Sequence, residues 1–389
     1  MEFISRIADT SEKDRIVDQL LMDGVSGQFD LGVLFVTPSV MYDPQEIYKE
    51  VAKRVGIRNF LCCTCAGIIG NQREIEGVPS ASLMLARLPD VSIKPFYIDQ
   101  GQLDQLKTSE QLYEFFEVYP NEKPNFLVLP DPFLIDANQF LQAINGAYPK
   151  SSVFGGLASA ATQERENSII INNSVYDEGL AGIVLTGNIE IEMVVSQGCR
   201  PIGKTFIVTK AEGNIIYELA GRSFYEVIKE VLEHASPRDR SLAQEAIFVG
   251  IAMNEYNHKF KRGDFLIRGV MAIDPDTGGG AVADYVHVGQ TVQFHLRDAQ
   301  TAQEDLHELL NTHRSHFDQE QLRGAFIFSC NGRGENLFRI KDHDIKIIQQ
   351  SLGPMPAAGF FCAGEIGPVG GVNFLHGFTS SMALIYAPK

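Results

Sequence analysis

The stretch Cys65-Ala66-Gly67-Ile68-Ile69-Gly70 returns near the C-terminus as Cys362-Ala363-Gly364-Glu365-Ile366-Gly367, so one structural unit is used at least twice. Each copy follows an aromatic-led apolar run (Phe60 to Cys63; Phe360 and Phe361) and precedes a run that opens with Gly, Gly77 to Leu85 and Gly377 to Ile385. A looser copy lies between them, with Phe154 to Ser159 as its turn and Gly179 to Leu185 as its return strand, while a fourth stretch, around Phe248 to Met253 and Phe265 to Ile273, is too degenerate to count as a copy. Repetition constrains the fold before any local reading, because a unit that cannot bury its own apolar face must pack against its copies. Each copy reads as apolar strand, Gly-rich turn, apolar strand, with strands almost free of charge as buried strands are. Gly is required where φ is positive or where backbones approach closely, and successive N–H groups of such a bend can form an anion-accepting hollow. A tight turn kept for geometry alone is the alternative at any one copy.

Between the copies the apolar spacing alternates between periods of helix and strand. Helices are expected over Ser11 to Met22, Pro44 to Val55, Ser109 to Val118, through Phe140 to Ile144, over Arg222 to Glu233, Ala302 to His316 and Asp344 to Ser351. The fold class is mixed α/β (α+β): β-sheets covered by helices, built from duplicated Gly-turn units in two modules, 1–221 and 222–389, with the junction near Gly221. A cleft lined by the turns of the second module is expected.

A chain of 389 residues with 44% hydrophobic content can bury sizeable cores. Its formal charge of -16 repels phosphate backbones and anionic lipid, which argues against nucleic acid and membrane surfaces as partners. Met1 to Asp23 carries mixed charges and no long apolar run, so no signal peptide or membrane span is expected, and six Cys in a chain of this length fit reduced thiols in the cytoplasm.

The chemistry-bearing candidates gather in the second module. Cys330-Asn331-Gly332-Arg333-Gly334 follows the apolar run Ala325 to Ser329, which sets polar groups at the C-terminal end of a strand, where open α/β sheets receive ligands. Arg333 can clamp a carboxylate there, or be a plain surface residue of a turn. Glu365 stands in the repeated turn where Ile68 stands in the first copy, so the turn's geometry does not demand it. It can accept a ligand ammonium or pair with a cation such as Arg333. Asn373 and His376 flank the last Gly-led strand, His376 as a ligand contact or a satisfied structural residue. With Cys362 and Gly364 these complete the candidate ligand set. Arg200 reads as a second clamp or as an anchor between the halves. Cys330 or Cys362 as nucleophile with His376 as base is the enzymatic alternative, a Cys-dependent hydrolase or transferase. Cys62 and Cys65, spaced as C-x-x-C, read as packing rather than redox chemistry. His307, His313 and His316 read as a solvated helix face rather than a metal site, and Asp274 to Gly280 lacks the ligand spacing of a calcium loop. No Walker loop, dinucleotide fingerprint or His-Glu-x-x-His string occurs.

Gly198 to Gly203 (GCRPIG), Cys330 to Gly334, Val288 to Asp298 and Phe360 to Thr379 with its FLHGFT end resemble the FIST family, and the resemblance spans nearly the whole chain as an N-terminal and a C-terminal FIST module. It implies an intracellular sensory domain that binds small ligands such as amino acids or their derivatives, with no established catalytic residue and no metal or cofactor. No kinase, chemoreceptor or F-box segment is attached, so a stand-alone bacterial-type member is expected, signalling through a separate protein partner. A scaffold that binds proteins without a ligand is the third reading.

Overall fold

The computed structural model describes residues 1–22, 25–257, 259–261 and 263–388. It divides into two compact units: Met1–Val195 with Leu306–Lys389, and Ser196–Asp305. The second unit is thus an insertion in the chain of the first.

The first unit holds three copies of one β-unit. The first copy has an edge strand Glu2–Ala8, parallel strands Gln28–Val36 and Gly56–Thr64 joined by helix Pro44–Arg54, a hairpin Gly67–Gly70 and Arg73–Glu76, and a return strand Ala81–Arg87. The second repeats this order with Val91–Ile98, Asn125–Pro130, Val153–Gly156, hairpin Ile169–Ile171 and Ser174–Tyr176, and return strand Leu180–Gly187. The third does so with Glu190–Gln197, Leu322–Cys330, Ala357–Cys362, hairpin Glu365–Val369 and Val372–His376, and return strand Thr379–Tyr386. The degenerate stretch around Phe248 to Met253 and Phe265 to Ile273 is no fourth copy. Its strands pair with each other antiparallel in the second unit, where the repeat would need a parallel pair followed by a hairpin.

No copy keeps its own hairpin. Each six-stranded sheet ends in the hairpin of the next copy: the second copy's hairpin joins the first sheet (Cys63↔Ile169), the third copy's joins the second sheet (Gly156↔Glu365), and the first copy's joins the third sheet (Phe360↔Ile68). The exchange is cyclic, so all three sheets are complete only together.

The central strands are apolar on both faces because both are covered. Inner faces meet in one core, where Phe35 of the first copy, Phe154 of the second and Phe326, Phe328 and Phe360 of the third converge, with the Phe35 and Phe360 ring centroids 4.8 Å apart. Outer faces lie under each copy's own helices, in separate apolar clusters. A buried aromatic of this kind contributes about 1.5–3 kcal/mol by area and a ring pair about 0.5–1.5 kcal/mol more. Helix Pro44–Arg54 starts where Asp43 accepts from the Gln45 N–H, with Pro in the first turn, and Asp136 caps helix Ala137–Ala147 in the same manner.

The second unit is antiparallel. Strands Cys199–Glu212, Thr291–Arg297, Ile247–Ala252, Phe265–Ile273, Gly280–Val282 and Ile215–Leu219 pair in that order, and the last pairs back on the first, closing a six-stranded barrel to which Arg222–Ser223 adds. Helix Phe224–Glu233 buries Phe224, Val227 and Ile228 against it. Asp305 accepts from the Ser196 hydroxyl and the Gln197 N–H at 2.8 and 2.9 Å, so the chain's entry to this unit and its exit lie side by side.

The tightness of the inner core is testable at Gly156, where an added Cβ would stand 2.2 Å from the Cys362 Sγ. Gly156→Ala is expected to lower stability by about 1–3 kcal/mol, as overpacking does. Urea denaturation of the variant checks this, and Gly156→Ala with Cys362→Ala should recover part of the loss.

Candidate functional site

The three Gly-rich turns meet at the ends of the parallel strands, and there they bond to one another. The Ser159 N–H donates to the Thr64 carbonyl and the Ala363 N–H to the Leu157 carbonyl. The third link runs through a side chain: the Ala66 N–H donates to the Ser159 Oγ, whose hydroxyl donates to the Phe361 carbonyl. Thr64, Leu157 and Phe361 occupy equivalent places in the three copies, as do Ala66, Ser159 and Ala363. The bends therefore converge, but into a closed ring of hydrogen bonds rather than around an empty hollow. Gly67 and Gly364 serve close approach and not a positive φ: a Cβ on Gly67 would lie 2.8 Å from the Ile75 carbonyl oxygen.

The turn of the third copy adjoins a buried ion pair and buried acids. At the end of strand Leu322–Cys330, Arg333 turns inward and its Nε donates to Asp344 Oδ2 at 2.7 Å, both side chains being nearly inaccessible. The other oxygen of Asp344 bonds to His343 Nδ1 at 2.9 Å. Glu74, from the first copy's hairpin, accepts from the Ile345 N–H at 2.8 Å and so caps helix His343–Leu352. Glu365 is fully buried, and its Oε2 accepts from both the N–H and the hydroxyl of Thr379, at 3.0 and 2.8 Å. In the first copy Ile68 stands at the position of Glu365, while Thr37 and Ser80, matching Cys330 and Thr379, bond to each other.

Burial pushes the Glu365 carboxyl up to about 8, against the bonds from Thr379, the charge of Arg333 and the neighbouring Cys330 thiol. Burial first, and then the charge of Asp344, push Glu74 up to about 8 as well, although the Ile345 N–H and Arg333 oppose this. Burial also works against ionising Asp344, yet the charge of Arg333 and the bonds from His343 and Arg333 hold it below the usual carboxylate range. The cluster is accordingly a buried Asp344–Arg333 pair beside two glutamates whose protonated forms burial favours.

Above this cluster a cavity of about 480 Å³ opens between the first copy's turn and the loop after strand Leu322–Cys330. Ala66, Gly67, Glu76 and Gly77 form one wall, Glu335 and Asn336 the other, and Phe361 and Asn331 the remainder. Among the described residues Asn331 Oδ1 is buried and finds no hydrogen-bond donor in the protein. Glu76 Oε1 accepts from the Glu335 N–H at 2.9 Å, an approach that Gly334 permits, since a Cβ there would lie 2.1 Å from that oxygen. Two larger grooves, of about 850 and 790 Å³, each run along an edge strand beside a neighbouring hairpin. They follow from the repeat, and neither adjoins the buried charges.

The structure brings Cys330, Asn331, Arg333, Cys362, Gly364 and Glu365 to one end of the third sheet, and separates Asn373 from them. Asn373 docks the third hairpin on the second copy, bonding to Asn145, to the Ser151 carbonyl and to the Val153 N–H. His376 lies across the ladder from Glu365, but its Nε2 is engaged by the Gly367 carbonyl at 2.9 Å. Arg333 meets an internal carboxylate in place of a ligand's. The Cys362 thiol is pushed well up by burial, which opposes a nucleophilic thiolate, and Cys62, Cys63 and Cys65 are buried thiols pushed up in the same way. Arg200 is bound to Asp239 and to Asp298 inside the second unit. The helix of three histidines is not uniformly solvated: His313 is buried, bonds to the Tyr386 hydroxyl at 2.8 Å, and is pushed down to about 4 by burial. Among the described residues no group of three or more His, Cys, Asp or Glu is arranged to hold a metal. Glu74, Glu76, Asp344 and Thr379 are the participants that motif reading passes over. Thr379 lay inside the FLHGFT stretch, whereas Glu74 and Glu76 sit in an ordinary polar turn with no signal of their own.

Two outcomes follow from the charge cluster. Arg333→Met should lower stability by about 3–5 kcal/mol, because it leaves Asp344 buried and unpaired, and Arg333→Met with Asp344→Leu should recover much of that loss. Urea denaturation at pH 7 measures both. For Glu365 the folded protein binds a proton more tightly than the unfolded chain, so its contribution is complete below about pH 4.5 and is lost as pH rises to about 8. Stability of the wild type should therefore decline across that window, and Glu365→Gln should decline less steeply in urea midpoints taken at each pH.

The FIST N domain model matches residues 30–222 and the FIST C domain model residues 225–368. Uncharacterized protein Rv0628c of Mycobacterium tuberculosis (strain H37Rv) is 37% identical over 91% of this chain and 90% of its own. Uncharacterized protein Mb0898c of Mycobacterium bovis is 37% identical over 87% of this chain and 86% of its own. Among solved structures, a cyanuric acid hydrolase from A. caulinodans aligns over 100% of this chain and 99% of that one at 9% identity, with a TM-score of 0.33. Among the described residues no helix is long and apolar enough to cross a membrane. The chain belongs to the FIST family, whose N and C domains are sensory and signalling modules.

Proposed function

We propose that the chain binds a small ligand in the cavity between the first Gly turn and the Asn331 loop, and passes the event to a separate protein partner. The observation that carries this reading is Asn331 Oδ1, a buried acceptor at the cavity that finds no donor in the protein. Such an atom costs about 1–3 kcal/mol unless something supplies a proton to it. The position supports the same reading, since ligands of open α/β sheets gather at the C-terminal ends of parallel strands.

The loop that carries Asn331 also carries Arg333, and Arg333 holds the Asp344 end of helix His343–Leu352. A ligand that prefers one setting of Asn331 biases the Arg333–Asp344 pair, and through it the helix that a partner would read. All six cysteines are thiols rather than disulfides, which fits a reducing cytoplasm as the place of action.

Differential scanning fluorimetry against a panel of amino acids, amines and short carboxylic acids tests the reading. A ligand at about 100 times its Kd stabilises the fold by about 2.7 kcal/mol and raises the Tm by several degrees. Asn331→Ala should abolish that rise and leave the unliganded Tm at or above that of the wild type, because the unsatisfied acceptor is gone. A rise of equal size in Asn331→Ala would remove the cavity from the reading, and a panel without any hit would count against ligand sensing altogether.

A further inference from the structure

We infer that Cys330 and Cys362 are a reversible redox pair, which a hydroperoxide oxidises to one disulfide across the ends of strands Leu322–Cys330 and Ala357–Cys362. This stands apart from ligand binding at the cavity, and either can fail without the other.

The two residues are partners in the parallel register, and each is the last of its strand. Paired residues of a ladder point the same way, and here that way is inward: Phe328 and Phe360, one step back along the same face, have ring centroids 5.7 Å apart in the inner core. Adjacent strands lie about 4.8 Å apart, within the roughly 4.4–6.8 Å that a disulfide spans between Cα atoms. A small pinch is still needed between the Cβ atoms, which strand ends allow more readily than strand middles and which keeps the bond reducible. The repeat does not require a pair of thiols at this place. The equivalent partners are Thr37 with Cys65 in the first copy and Asp131 with Ala158 in the second.

The two thiols differ in access. Cys330 is half-buried whereas the other five cysteines are buried, and its Sγ accepts from the Gly332 N–H at 3.4 Å, a contact that favours the thiolate. Cys362 is shielded, and burial first and then the charge of Glu365 push its thiol well up, so it does not react first. Held beside an oxidised Cys330 it needs no encounter, and proximity raises its rate. The Cys330 sulfur attacks one oxygen of the hydroperoxide, the O–O bond breaks, the thiol proton passes to the departing oxygen, and Cys330 becomes a sulfenic acid. The Cys362 sulfur then attacks that sulfur, the S–S bond forms as the S–O bond breaks, and the hydroxide leaves as water with the Cys362 proton. The thiols together lose two electrons, and the hydroperoxide is reduced to an alcohol and water. Drawing the Cys330 sulfur toward Cys362 takes it off the Gly332 N–H, at the start of the loop that holds Arg333 on Asp344.

Mass mapping of the full chain tests this without any substitution, because trypsin places Cys330 on residues 324–333 and Cys362 on residues 347–389. After treatment with hydrogen peroxide, alkylation and digestion without reductant, those two peptides are expected to be joined and lighter than their sum by two hydrogens, and dithiothreitol should part them. On the reduced protein iodoacetamide should label Cys330 at least about tenfold faster than any other cysteine. Cys362→Ala should leave Cys330 as a sulfenic acid that dimedone traps, and Cys330→Ala should leave the other thiols reduced. A bridge from Cys330 to Cys63 or Cys65, a bridge between two chains, or a bridge without Cys330 overturns the pairing. Labelling of Cys330 no faster than that of the buried thiols overturns it too, as does wild-type Cys330 passing to the sulfinic acid while Cys362 is still a thiol.

Discussion

The first unit depends on the cyclic exchange of hairpins and on the ring of bonds that closes it. A two-stranded hairpin by itself is marginal in water, and each hairpin here gains its sheet from a neighbouring copy. The ring then fixes the three turns at one height, because each backbone N–H at the centre reaches a carbonyl of the preceding copy, directly or through the Ser159 hydroxyl. Little room is left for side chains there. Gly67, Gly156 and Gly364 each sit where an added carbon would strike a neighbour at 3.0 Å or less.

A symmetric arrangement would give three equal sites, and the chain does not have them. Equivalent positions carry Thr37, Asp131 and Cys330 at the ends of the first strands, and Ile68, Ile169 and Glu365 at the starts of the hairpins. Thr37 is satisfied by Ser80, and Asp131 by the Phe133 and Leu134 N–H groups and Asn167. The second place has a buried acid, Asp131, that is satisfied within its own copy, and the third adds a buried acid, a buried arginine paired to Asp344 and a helix end whose cap comes from another copy. Buried charge is a weak source of stability, since desolvation offsets most of the attraction. Its concentration at one of three equivalent places therefore reads as a functional departure from the repeat.

Much of this was legible in the residues. The two CAGxxG turns announced the repeat, and the middle turn Phe154 to Ser159 proved equivalent in space although only its glycines and apolar neighbours matched. Glu365 drew notice because Ile68 fills the same place, and it does lie with Cys330, Arg333 and Cys362. What pattern could not supply was the partner of each charge. Asp344 is eleven residues from Arg333 and reads as a helix residue, while Glu74 reaches Ile345 across more than two hundred and seventy residues of chain. Hairpin exchange is likewise invisible to local periodicity, because an edge pairs with whichever strand the turns deliver. His313 read as solvated because its spacing ignores the return strand that brings Tyr386 onto it. Asn373 read as a ligand contact because its position at the last hairpin concealed that the hairpin belongs to another copy's sheet.

The exchange also bears on what either half of this chain could be by itself. A polypeptide confined to the span matched by the N domain would carry Gly67–Glu76 with no Ala357–Cys362 to receive it, and a sheet of the second copy whose next hairpin was never encoded. The complementary span would hold strands that wait for Ile68 and Ile69. Neither span closes its sheets without the other, so in this chain the two matched domains fold as one object, with the barrel spliced into the third copy.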